Sequence, residues 1–495
     1  MFVRKAGILM PIFSLPGKYG IGTLGKKAYE FVDFLEKAGQ SYWQILPLTP
    51  TSFGDSPYQS FSAYACNPYF IDFELLEENG YLIKSEYSNI NWGKDEKIDY
   101  TILYNQRYNI LKKAFKRFIN KPTYDYFDFI NNNKSWIEDY SLFMAIKIAN
   151  NGKAWNEWPS EIKCREPDAI YKCKELYKEN IEFFKVIEYL FYVQWCKLKK
   201  YANSKNIKII GDIPIYVAYD SADLWCEPKQ FLLDDELKPI EVAGCPPDAF
   251  SIKGQLWGNP LYDWNFMKMS LNPYEWWKKR IAHTLKLYDI IRIDHFRGFE
   301  SYYAIPYGNK DAIIGTWRKG PGIHFFDALK NQFSDLPIIA EDLGFFTNDV
   351  KQMLLKSGFP GMKVLEFGFD ELNNSAHLPH NCVKNSVVYT GTHDNDTIMG
   401  WIKTLDTKKI QFIKDYLGIN NEIEINWAII RCAFATVADT VIIPMQDYLG
   451  LSSEGRINIP STLGDNWKWR IKDGVLDSNL ADRIRKQTQT YYRLS

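Results

Sequence analysis

Four short apolar runs in the sequence each end in acid: IKIIGD at Asp212, IIRID at Asp294, PIIAED at Glu341 and Asp342, and VVYTGTHD at Asp394. Acidic groups gathered on one rim repel each other and are costly to desolvate, so a fold keeps them where acid/base or metal chemistry is done. Within IIRID, extended side chains alternate faces, so Arg292 and Asp294 share one face and Ile291 and Ile293 the other. A guanidinium beside a carboxylate favours the ionised form and lowers its pKa, which suits a nucleophile. Glu341 follows an apolar run, where partial burial raises a carboxyl enough to donate a proton. Two carboxyls in opposite ionisation states, about 5–5.5 Å apart, are what retaining glycoside chemistry requires. Singly these residues say less. An Asp near an Arg is commonly a solvated ion pair, a lone His393 a hydrogen-bonded structural residue, and a lone Trp257 part of a core. The recurrence at several run ends carries the catalytic reading.

Such groups need a scaffold that delivers strand ends to one rim. Eight Ile- and Val-rich runs recur, at 8–12, 43–46, 207–210, 290–293, 337–340, 362–367, 387–389 and 441–443. Their composition fits parallel strands covered on both faces. Helical patterns lie between several of them. Ala28, Phe31, Val32 and Leu35 form a buried stripe, and Gly39 sits where that helix would stop. The alternation predicts an α/β fold, a (β/α)8 TIM barrel with its reactive groups at the strand ends. About 160 residues separate the second and third runs. Phe184, Ile187, Phe191, Trp195 and Leu198 mark an amphipathic helix there, and further helical stretches fall near 101–118 and 135–149. This predicts a mostly helical insertion over about 51–205. A second insertion, about 220–285, holds the stretch AGCPPDAFSIKGQLWGNPLYDW, and long loops of this kind are usually functional. No repeat, low-complexity tract or flexible linker divides 1–495, so a single catalytic domain is expected.

Lys plus Arg equals Asp plus Glu at 60 each, so no long-range field selects a polyanion; nucleic acid and acidic membrane surfaces are disfavoured as partners. Aromatic residues make up 16%, with 16 Trp and 32 Tyr, enough for a large core or for a sugar cleft. The cysteines (66, 164, 173, 196, 226, 245, 382 and 432) form no CxxC pair, which argues against a zinc knuckle and a small disulfide framework. The opening run GILMPIF is short and broken by Pro11, reading as a first strand and not a signal peptide. No segment approaches the roughly 20 apolar residues needed to span a bilayer. A reducing cytoplasm is the expected compartment. No phosphate-cradling loop or cluster of metal ligands stands out, so no cofactor and no metal are expected.

RIDHFRG (292–298), AEDLG (340–344) and THDNDT (392–397) resemble the three catalytic blocks of the amylomaltases, the 4-α-glucanotransferases of glycoside hydrolase family 77. Further blocks agree in order: GDSPYQSFSA (54–63), GDIPIYVA (211–218), PPDAFS (246–251), GQLWGNPLY (254–262) and EGRINIPST (454–462). The resemblance runs from the GILMPIFSLPGKYGIGTLG opening over essentially the whole chain. It implies that Asp294 attacks the anomeric carbon, that Glu341 is acid and then base, and that Asp394 holds the 2- and 3-hydroxyls of the distorted sugar. By the same matching Arg292 orients Asp294, His393 and Asp212 bond that sugar's hydroxyls, and Tyr58 stacks on its ring. Gln255, Trp257 and Asp248 would meet the acceptor, with Ser56 and Asn458 as further contacts. The implied partners are an α-1,4-glucan donor and a glucose or maltooligosaccharide acceptor, and no trailing β-sandwich domain is expected. Two other readings share these residues: hydrolysis, if water intercepts the intermediate, and a catalytically silent glucan-binding protein. The aromatic and prolyl 246–262 loop favours transfer.

Overall fold

The computed structural model describes residues 4–247, 251–344 and 347–494. Each Ile/Val run overlaps one strand of a closed, all-parallel barrel. Among the described residues the twelve strands are, in chain order, β1 (Lys5–Leu9), β2 (Tyr42–Gln44), β3 (Lys208–Ile213), β4 (Glu241–Cys245), β5 (Gln255–Pro260), β6 (Ile290–Ile293), β7 (Ser301–Pro306), β8 (Thr316–Lys319), β9 (Ile338–Ala340), β10 (Gly361–Val364), β11 (Ser386–Tyr389) and β12 (Thr440–Pro444). The barrel runs β1-β2-β3-β6-β9-β10-β11-β12 and closes where β12 pairs with β1 in parallel, Lys5 opposite Thr440 through Leu9 opposite Pro444. The C-terminal segment clasps this seam: the Arg493 guanidinium donates to the carbonyls of Phe434 (3.0 Å), Thr436 (3.0 Å) and Lys5 (3.3 Å). Eight strands in this order are the (β/α)8 architecture the runs predicted.

The remaining four strands form an antiparallel sheet, β5-β4-β7-β8, which the sequence pattern did not reveal. Its strands lack clean alternation. The TWRK of β8 is exposed at every position, and β5 carries Gly258 in the left-handed region (φ 77°) and ends in Pro260. This sheet ties the chain between β3 and β6 to the chain between β6 and β9, both on the side of the barrel where β6 ends.

Helices Tyr100–Phe118, Tyr124–Asn132, Lys134–Ala149 and Lys178–Ser204 lie between β2 and β3. In the last, Phe184, Ile187, Phe191, Trp195 and Leu198 are all buried, as their spacing required, and the Trp195 indole donates to the Leu287 carbonyl (3.0 Å). Helix Lys26–Lys37 buries Ala28, Phe31, Val32 and Leu35, and the chain turns out of it at Gly39 with φ 69°. Gly211 of β3 answers a different need. A Cβ there would sit 2.1 Å from the Tyr288 ring, so only glycine lets that aromatic cover the strand beside Asp212. Among the described residues no helix is long and apolar enough to cross a membrane.

Candidate active site

Parallel register sets the first contacts. Asp212 on β3 lies opposite Arg292 on β6, and both side chains point into the barrel mouth. The Arg292 guanidinium, 3% exposed, therefore bridges two carboxylates: Nη1 donates to Asp212 Oδ2 (2.6 Å) and to Asp294 Oδ1 (3.0 Å). The alternation argument is realised, since Ile291 and Ile293 are wholly buried on the other face. Asp212 has no exposed surface, and its Oδ2 also accepts the Tyr58 hydroxyl (2.8 Å), which corrects the expectation that it bonds the sugar's hydroxyls: burial leaves it to act through Arg292 and Tyr58. Asp294, just past the end of β6, keeps 29% of its side chain open to the cleft.

The backbone then makes an unusual turn. His295 sits in the left-handed region (φ 54°), sparsely populated by residues with a side chain. The turn aims its N–H at Glu341 Oε2 (2.7 Å), while the Leu343 N–H reaches Oε1 (2.8 Å). Both oxygens of Glu341, directly after β9, are thus held by main-chain donors.

Burial pushes Glu341 up to about 8, and the charge of Asp294 adds to the rise; Arg292 and the two N–H groups oppose it. Asp294 is raised as well, to about 6, because burial and the nearby Asp212 outweigh Arg292. This corrects the expectation that Arg292 would hold Asp294 below the ordinary carboxylate range. The order survives: Glu341 keeps its proton to higher pH than Asp294.

Asp394, in the loop after β11, has its Oδ1 held by the Asn458 amide (2.7 Å), with His393 Nε2 3.4 Å from the same oxygen. His393 is buried and stacks on Tyr58, centroids 5.0 Å apart and 17° between planes. Tyr58 takes its place from Ser56, whose Oγ accepts the Tyr58 N–H (3.2 Å). Gln255 accepts the Trp257 indole N–H (3.1 Å), and Trp257 stands edge-on to His295 at 4.8 Å. Asp248 lies outside the described residues. Among the described residues no group of three or more His, Cys, Asp or Glu is placed to hold a metal ion.

A sequence model described as 4-alpha-glucanotransferase matches residues 10–477. The chain belongs to the 4-alpha-glucanotransferase family. It is 51% identical to a 4-alpha-glucanotransferase of Clostridium butyricum over 98% of this chain and 100% of that one, and 42% identical to one of Thermus thermophilus over 99% of both. A solved amylomaltase of Streptococcus agalactiae, in complex with acarbose, superposes with a TM-score of 0.97 at 44% identity, covering 99% of this chain and 100% of that chain. An amylomaltase from Corynebacterium glutamicum shares the fold at a TM-score of 0.75 and 17% identity.

Around these family blocks the structure adds residues that the sequence reading passed over. Arg456, inside EGRINIPST, donates to the carbonyls of Asp394 (2.9 Å) and Asn458 (2.8 Å), locking together the two loops that hold the Asp394 carboxylate. The Gln59 amide donates to the Trp257 carbonyl (3.3 Å) and to Asn259 Oδ1 (3.0 Å), joining the 54–63 loop to β5. A charge and an amide within matched motifs were the available signals. Neither has a spacing that specifies its partner.

Proposed function

We propose that the chain, a 4-α-glucanotransferase acting on α-glucans, moves a segment of a 1,4-α-glucan to the 4-hydroxyl of another glucan or of glucose, and that Asp294, Glu341 and Asp394 do the chemistry. Asp294 attacks the anomeric carbon while the glycosidic oxygen takes the Glu341 proton and departs with the donor's reducing-end part. The acceptor 4-hydroxyl then gives its proton to Glu341 and attacks the same carbon, freeing Asp294. Asp394 meets the hydroxyls of the distorted sugar, where its charge counts most in the oxocarbenium-like transition state. Arg292 and Asp212 set the charge and direction of Asp294. Tyr58 and His393 line the donor sugar's place, and Gln255, Trp257, Asp248 and Ser56 the acceptor side. Asn458 acts on Asp394 from behind.

The observation that carries this reading is the pairing of Asp294, bonded to Arg292 and open to the cleft, with a Glu341 whose proton is retained to higher pH. We further read the chain as one catalytic unit, with the 51–205 helices and the 220–285 segment as insertions on the barrel. The scattered cysteines support a reducing cytoplasm as its compartment. The test is incubation with maltotriose alone, followed by chromatography. Glucose with a ladder of longer maltooligosaccharides supports transfer. Glucose and maltose alone, with reducing ends rising steadily, would mean that water is the acceptor.

A further inference from the structure

Behind Asp394 lies a second acid to which the chemistry above gives no part. Glu366 lies two residues past β10, in the helix Leu365–Asp370, is 4% exposed, and donates its backbone N–H to the Thr390 carbonyl (3.1 Å) just past β11. Its Oε2 accepts the Asn395 amide (3.0 Å). Asn395 in turn accepts both the N–H and the hydroxyl of Thr392 (2.9 Å each), and Thr392 Oγ1 accepts the Asp394 N–H (3.3 Å). Gly391 makes the room: a Cβ there would lie 2.9 Å from Glu366 Oε1.

We propose that Glu366 and Asn395 are positioning residues that fix the 392–395 turn and, through it, Asp394. The proposal rests on the role given to Asp394 above. Two of the turn's internal bonds, both from Thr392, converge on the Asn395 carboxamide oxygen; Thr392 in turn holds the Asp394 N–H, and the Asn395 amide nitrogen is anchored on the Glu366 carboxyl. The charged groups around Glu366 are Asp447, Asp396 and Arg456. Asp447 is already satisfied by Thr390 (2.6 Å) and the Ile398 N–H (2.8 Å), and Asp396 by Ser453 (2.7 Å) and the Thr397 N–H (2.7 Å). Burial, with Asp447 adding to it, raises Glu366 well above the ordinary carboxylate range. What it supplies is an acceptor oxygen. A glutamine carries the same oxygen at the same reach.

The experiment uses the full-length chain and α-maltosyl fluoride as donor, with rates expressed per titrated active site. Glu366→Gln, Glu366→Ala and Asn395→Ala are each made alone and in an Asp394→Ala background. Loss of one such buried hydrogen bond sets the scale: Glu366→Ala and Asn395→Ala should lower kcat about 10- to 30-fold with KM within about twofold, and Glu366→Gln should stay within about twofold of the parent. In the Asp394→Ala background, itself strongly impaired, the same changes should be silent. A role confined to stability would instead lower the melting temperature and leave kcat per active site untouched. Equal losses with and without Asp394, or a Glu366→Gln as poor as Glu366→Ala, overturn the pair while leaving Asp394 its role. A near-normal Asp394→Ala overturns both. Should Glu366→Ala not fold, Asn395→Ala carries the same comparison from a less buried position.

Discussion

Replacing Arg292 with methionine removes the one cation bonded to both Asp212 and Asp294, at a site whose neighbour is already Met362 (3.4 Å from Nε). At 3.0 Å and an effective dielectric of about 20, the lost attraction for the Asp294 carboxylate is about 5 kcal/mol, or between three and four decades in its acidity. The Asp294 titration should therefore climb from about 6 to above neutral pH. Because the nucleophile works only when ionised, the acid limb of kcat/KM against pH must move up with it, and activity at pH 6 should fall by about 100-fold or more. Asp212→Asn is the opposing control. It keeps an oxygen for Tyr58 and Arg292 but removes the charge that raises Asp294, so its acid limb should move down. The assay is kcat/KM for maltotriose between pH 4.5 and 9.5. An Arg292→Met limb that stays near 6, or two limbs that shift the same way, would refute the electrostatic account.

The parent enzyme should give a bell-shaped kcat/KM profile, falling below about pH 6 as Asp294 gains a proton and above about pH 8 as Glu341 loses one. Glu341→Gln should abolish the alkaline limb along with most turnover of maltotriose. Asn458→Ala strips the Asp394 carboxylate of its amide donor (2.7 Å) and should lower kcat about 10- to 100-fold, read as initial glucose release, with little change in KM. Glu188, on the buried face of the Lys178–Ser204 helix and bonded to the Cys66 N–H (3.0 Å), is raised by burial to about 8. Its neutral form is favoured in the fold, so its contribution to stability is complete below the ordinary glutamate range and is lost as pH rises through about 8. Glu188→Gln should therefore raise the melting temperature at pH 9 and leave it unchanged at pH 4; no difference at pH 9 would contradict the burial argument.

The barrel was legible because a strand covered on both faces must be apolar throughout, and Ile290–Ile293 or Ser386–Tyr389 could scarcely do anything else. The Arg292–Asp294 contact followed from strand alternation alone. The direction of the Asp294 shift did not. A sequence names the neighbouring charge but not the depth of burial, and here burial is the larger effect. The β5-β4-β7-β8 sheet escaped notice because its exposed edge strand carries no apolar pattern. Nor could the left-handed turn at His295 be read, since a histidine is no more expected there than an asparagine. Glu366 lay in plain view in the run 362–367, where its apolar neighbours concealed a buried acid.

The seam between β1 and β12 also has a consequence in time. Strand β1 gains β2 as a neighbour early in synthesis, but its other edge waits for Thr440–Pro444. At about 5–20 residues per second, a ribosome takes roughly 20–90 s to make the chain in between. Throughout that interval the N-terminal strand offers an unpaired edge to any neighbouring nascent chain. Closing the barrel therefore cannot precede synthesis of β12, and the Arg493 clasp comes after it in the chain.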